Sequence, residues 1–183
     1  MTGTINKDKT GVGIDIAVND SRWDDSVDTL ESDISDACLN VYEKAAFKLD
    51  APEGDLRPDI GIVFTDDATI RTLNHDYRGK DVPTNVLSFS NLEGPDDPAL
   101  LVEGESYHLG DIVLAYETIH REAANADKTL RDHVLHLIIH GFLHLIGYDH
   151  DTDARAQEME DIEVRICDEM HVKNPYLSET FVS

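Results

Sequence analysis

The sequence predicts a single α+β domain in which a small mixed β-sheet packs against several α-helices. Short apolar segments with the two-residue period of strands are interleaved with longer segments of helical period. No internal repeat is present, and 183 residues with 40% hydrophobic content suffice for one core. The boundaries expected are a polar N-terminal lead over 1–10, one domain over 11–177 and a C-terminal tail over 178–183.

Val12, Ile14, Ile16 and Val18 alternate with smaller or polar residues, which predicts the first strand. From Ser26 to Leu49, Val27, Leu30, Ile34, Cys38, Val41, Ala45 and Leu49 recur every three or four residues, a helix with one apolar stripe and an acidic opposite face. Ile60 to Phe64 is a short apolar strand. Asp66 then caps a helix carrying Ile70, Leu73 and Tyr77. Gly79 and Pro83 interrupt the pattern, leaving Arg78 and Lys80 on a connection before a strand over Asn85 to Ser90. Asn91 to Tyr107 holds five acids, two prolines, two glycines and no basic residue, the composition of an exposed loop. A strand over Leu109 to Ala115 and helices over Tyr116 to Ala126, Leu130 to Ile146 and Ala154 to Met170 complete the pattern. Strand order cannot be read from periodicity.

Charge and composition exclude several classes. With 38 acidic and 15 basic side chains the formal charge is −23, so long-range attraction to a polyanion is excluded and any nucleic-acid contact has to be local. The most apolar run, Val134 to Ile146, is interrupted by three histidines and is too short for a membrane span. The polar residues 1–9 are followed by no apolar signal core. Cys38 and Cys167 have neither the number nor the spacing of a disulfide framework. A reducing, cytoplasmic setting is the expectation.

The segment that carries chemistry is His140-Gly-Phe-Leu-His144-Leu-Ile-Gly147-Tyr-Asp-His150. Residues four apart on a helix are about 6 Å apart along its axis and about 40° apart around it, so His140 and His144 can address one ion. Gly147 suits the left-handed residue that ends the helix and turns the chain so that His150 reaches the same ion. Three imidazoles make an open zinc site whose remaining position holds an acidified water. The spacing is that of the metzincin ligands, so the helix is zincin-like. The general-base glutamate that follows the first His in that pattern is replaced by Gly141. His136, one turn earlier, and His133 are alternative ligands, with an outer or core role favoured for both. Asp149 and Asp153 can orient an imidazole or serve as turn and cap residues. From spacing alone Arg78 is equally a phosphate ligand and a loop arginine paired with a neighbouring acid.

The motif HGFLHLIGYDH, together with RGKDVPTNVLSF from Arg78 to Phe89 and LGDI from Leu109 to Ile112, closely resembles the YbeY-type endoribonucleases, rRNA maturation factors of bacteria. The resemblance runs from about Ile60 to Tyr176. It implies a zinc-dependent, single-strand-specific endoribonuclease acting in 16S rRNA 3′-end maturation, ribosome biogenesis and ribosome quality control. It further implies one zinc ion on His140, His144 and His150, Arg78 facing the active-site cleft, and ribosomal RNA with the ribosome or a ribosome-associated protein as partners. DNA and membranes are not expected partners. Lys80 can add a phosphate contact, and Asp111 is expected to support packing between strand and site. The rivals are a non-catalytic ribosome-assembly factor with structural zinc, and a metalloprotease-like hydrolase, which Gly141 disfavours.

Overall fold

The computed structural model describes residues 2–5, 11–46, 57–91 and 106–176. The elements are β1 (Thr2–Ile5), β2 (Gly13–Val18), a 3-10 turn (Ser21–Trp23), α1 (Asp24–Ala45), β3 (Arg57–Thr65), α2 (Asp67–Arg78), β4 (Val86–Ser90), β5 (Ser106–Ala115), α3 (Tyr116–Asn125), α4 (Leu130–Leu145) and α5 (Asp153–Glu169). The five strands form one mixed sheet in the order β1-β2-β3-β5-β4. β2, β3 and β5 run parallel, and β1 and β4 are antiparallel edges. The expected α+β class holds, and every element predicted from periodicity is present, its ends within a few residues of expectation where these lie among the described residues.

One element departs from expectation. The polar lead, to which no element was assigned, supplies β1, whose four residues TGTI pair with Ile14–Ala17 of β2. A segment that short carries too few apolar positions for alternation to register. The predicted end of α1 at Leu49, most of the acidic loop (92–105) and the tail lie outside the described residues.

The two faces of the sheet bury different things. Ile14, Ile16, Ile60, Ile62, Phe64, Ile112 and Leu114 join the apolar stripes of α1, α4 and α5 in the main core. Val113 and Ala115, the alternate positions of β5, pack with Leu87 against Ile70 of α2. Trp23, fully buried, locks the 3-10 turn to the end of β3: its Nε1 donates to the Thr65 carbonyl at 2.9 Å, and its ring lies 5.1 Å from both Phe64 and Tyr116.

The same alternation places the functional helix. Along β4, Leu87 turns to α2 while Ser88 and Ser90 turn to α4, where Ser90 Oγ donates to the Leu145 carbonyl at 3.1 Å. Gly141 lies on the α4 surface that meets them. A Cβ there would stand 2.9 Å from Ile112 Cγ2 and 3.0 Å from Ser88 Oγ. The helix therefore rests closely on β4 and β5 at Gly141, where any side chain would require Ile112 or Ser88 to shift and a glutamate would point towards the sheet.

Candidate metal centre

His140 and His144 stand one turn apart near the end of α4, and the chain reversal that follows brings His150 to them. Gly147 adopts φ 92°, and the helix closes with two paired backbone bonds, Gly147 N–H to His144 O at 3.1 Å and Tyr148 N–H to Leu143 O at 3.0 Å. These are the two bonds of a Schellman ending. A Cβ at Gly147 would meet nothing within 4 Å, so backbone conformation and not space calls for glycine. Asp149 accepts the His150 backbone N–H at 2.7 Å and is thus a turn residue, and Asp153 is the first residue of α5 behind the Thr152 cap.

One ligand atom from each of His140, His144 and His150 lies within 4.8 Å of the other two. The other ring nitrogens settle the tautomers. His140 Nδ1–H donates to Glu163 Oε1 at 2.7 Å, and His144 Nδ1–H donates to the Tyr148 carbonyl at 3.0 Å. In the neutral rings both Nε2 atoms are then bare lone pairs, and they face each other at 3.2 Å. Two acceptors at that distance repel unless a cation lies between them. The separation is close to the roughly 3.4 Å between two imidazole nitrogens bound tetrahedrally at about 2.1 Å. Burial, together with the neighbouring His140 and His150, pushes the His144 pKa down to about 4, so this ring is neutral at physiological pH, the form a metal requires. The donor set fits one small borderline cation, and no fourth His, Cys, Asp or Glu among the described residues joins the group.

Glu163 is the residue that sequence reasoning missed. It is fully buried on α5, and its carboxylate accepts from His140 Nδ1, from His136 Nε2 at 3.3 Å and from the Tyr176 hydroxyl. Burial would raise its pKa, but the bonds from His136 and His140 outweigh that and hold the carboxyl at about 2. His136 is accordingly turned to Glu163 and takes no place in the triad. His133 bonds Glu122 at 2.9 Å, away from it. A signal for Glu163 exists in the sequence: it interrupts the apolar stripe Met159, Ile166, Cys167 of α5, where a lone carboxylate has to be paired.

His144 and His150 border a cavity of about 510 Å³ that is also lined by Tyr148, Ser88, Ser90, Arg78 and Arg155, among others. Arg78, the last residue of α2, is exposed, and among the described residues no carboxylate pairs with it. The nearby acid, Asp81, is engaged bidentately by Arg71 at 2.7 and 2.9 Å. Arg155, a second cation at the cavity that spacing did not single out, is held by Asp151 at 3.1 Å. Lys80 is exposed. Asp111, on β5, lies 3.4 Å from His108 Nε2 and borders the groove beyond Arg78.

The family model described as "Endoribonuclease YbeY" matches residues 17–171, reaching further towards the N-terminus than the motif resemblance does. A protein of that name from Nitrobacter winogradskyi is 49% identical over 137 residues, covering 72% of this chain and 67% of that protein. One from Paramagnetospirillum magneticum is 42% identical over 167 residues, covering 90% and 97%. A solution structure of a Thermotoga maritima protein aligns with a TM-score of 0.47 at 20% identity, covering 90% of this chain and 99% of that one.

Proposed function

Because the chain belongs to the YbeY endoribonuclease family, we propose that it hydrolyses phosphodiester bonds of single-stranded RNA at one zinc ion held by His140, His144 and His150, with Arg78 on the phosphate. The observation that carries the metal reading is the pair of bare Nε2 atoms facing each other at 3.2 Å. Bound there, zinc supplies Lewis-acid charge and an acidified water. Arg78 offers a forked guanidinium to the non-bridging oxygens, on which negative charge accumulates as the bond breaks. Glu163 and the Tyr148 carbonyl hold two imidazoles in the tautomer that presents Nε2 to the ion. The three-donor group favours an open catalytic centre over a closed structural one.

The natural substrate in this reading is 16S rRNA at its 3′ end, in ribosome maturation and quality control in the cytoplasm. A charge of −23 opposes unaided encounter with RNA, so the ribosome or a bound protein presents the strand. Among the described residues no helix is long and apolar enough to cross a membrane. Metal content and rRNA-precursor cleavage, measured on one purified sample, test the proposal. Stoichiometric zinc with cleavage supports it, and stoichiometric zinc without cleavage, on free precursor and on assembled subunits alike, turns the reading to a non-catalytic assembly factor.

Glu163→Gln keeps the shape of the side chain but loses the charge that two imidazoles and a phenol share. Zinc affinity is expected to fall about 10- to 100-fold, read by competition with a chromogenic chelator. An unchanged dissociation constant removes Glu163 from the metal centre.

A further inference from the structure

Past Arg78 the groove continues into a second hollow of about 780 Å³, within the usual range of sites for small organic groups, about 300–1,000 Å³. Arg78, Ser88 and Ser90 line both hollows, so a strand whose phosphate meets Arg78 runs from one into the other. The chemistry changes along the way. Val63, Leu73, Phe89 and Val113 form an apolar floor, and Asn19, Asn91 and Asp111 supply amide and carboxylate groups. Arg78 is the single cation among the lining residues described, and Asp111 repels phosphate, so the hollow is no second phosphate site.

Tyr77 stands at its rim. The ring is 70% exposed, and it is braced edge-to-face against Phe89 with centroids 5.0 Å apart at 67°. A braced aromatic ring left mostly in solvent, beside an arginine and above an apolar floor, is a stacking platform. We propose that this hollow receives an unpaired nucleobase adjacent to the phosphate at Arg78, stacked on Tyr77, with its edge met by the Asn91 and Asp111 side chains. The inference rests on the endoribonuclease reading and deepens it. A base inside a duplex is covered on both faces and cannot enter, so the subsite selects single strands by shape.

The test is steady-state cleavage of a single-stranded RNA oligonucleotide by the zinc-loaded protein, with abasic riboses placed one at a time near the scissile bond. Tyr77→Ala, a change at an exposed position, is expected to raise KM about 5- to 150-fold with kcat little changed, whereas Tyr77→Phe stays near wild type. In the wild type one abasic position reproduces the KM increase, and in Tyr77→Ala the same position adds nothing further. Equal KM for wild type and Tyr77→Ala, or additive losses at every abasic position, overturns the subsite. Binding of the same oligonucleotide by fluorescence anisotropy separates the two readings. Absence of cleavage by the wild type counts against the nuclease alone, while equal dissociation constants for wild type and Tyr77→Ala overturn the subsite.

Discussion

His144→Ala is expected to lose zinc and RNA cleavage together. The ring supplies the central of the three donors: its centroid is 4.6 Å from that of His140 and 5.1 Å from that of His150, whereas His140 and His150 are 6.0 Å apart. Two remaining imidazoles hold zinc poorly, and the Lewis acid is worth several kcal/mol in the transition state. At 1.36 kcal/mol per decade this is about a thousandfold or more in rate. The fold is expected to survive. The two backbone bonds that close α4 involve residue 144 only through its carbonyl, and the side chain is partly exposed. Metal analysis, cleavage and far-ultraviolet circular dichroism on the same preparation check all three points. Zinc retained at one equivalent, or cleavage retained without zinc, would sink the metal assignment.

The opposite dissociation is expected for Arg78→Ala: zinc at one equivalent, unchanged thermal stability and cleavage reduced about 10²- to 10³-fold, the usual cost of removing one donor to a developing anion. Stability is expected to stay within about 0.5 kcal/mol because the side chain is exposed and, among the described residues, unpaired. Arg78→Lys restores the charge without the fork and is expected to recover only part of the loss. Full activity in the alanine variant places the phosphate elsewhere in the groove, with Arg155 the next candidate.

Local chemistry was legible and convergence from a distance was not. The Asp66 cap of α2, the helical phase of His140 and His144 and the turn at Gly147 are contained within one or two turns of chain, where spacing translates directly into geometry. Glu163 reaches His140 from a different helix, 23 residues away, through a packing arrangement that no single-segment period encodes. At Gly141 the sequence shows only that the base of the metzincin pattern is missing, and it takes the sheet to show that Ile112 and Ser88 crowd the position. Spacing alone does not distinguish Arg78 from a paired loop arginine; the structure places it at the end of α2, with Asp81 taken by Arg71. Strand β1 escaped because four residues are too few for a pattern.

The placement of Glu163 also orders events during biosynthesis. A chain made from its N-terminus has all three imidazoles before the carboxylate that orients His140 exists, and the Tyr176 hydroxyl that shares that carboxylate follows later still. Until α5 has packed against α4, His140 lacks the carboxylate that orients it, and an ion bound there would be held by an unsupported ligand. The orientation of His140 is therefore completed only when α5 packs against α4, so the geometry of the centre depends on a tertiary contact that the triad's own segment does not contain.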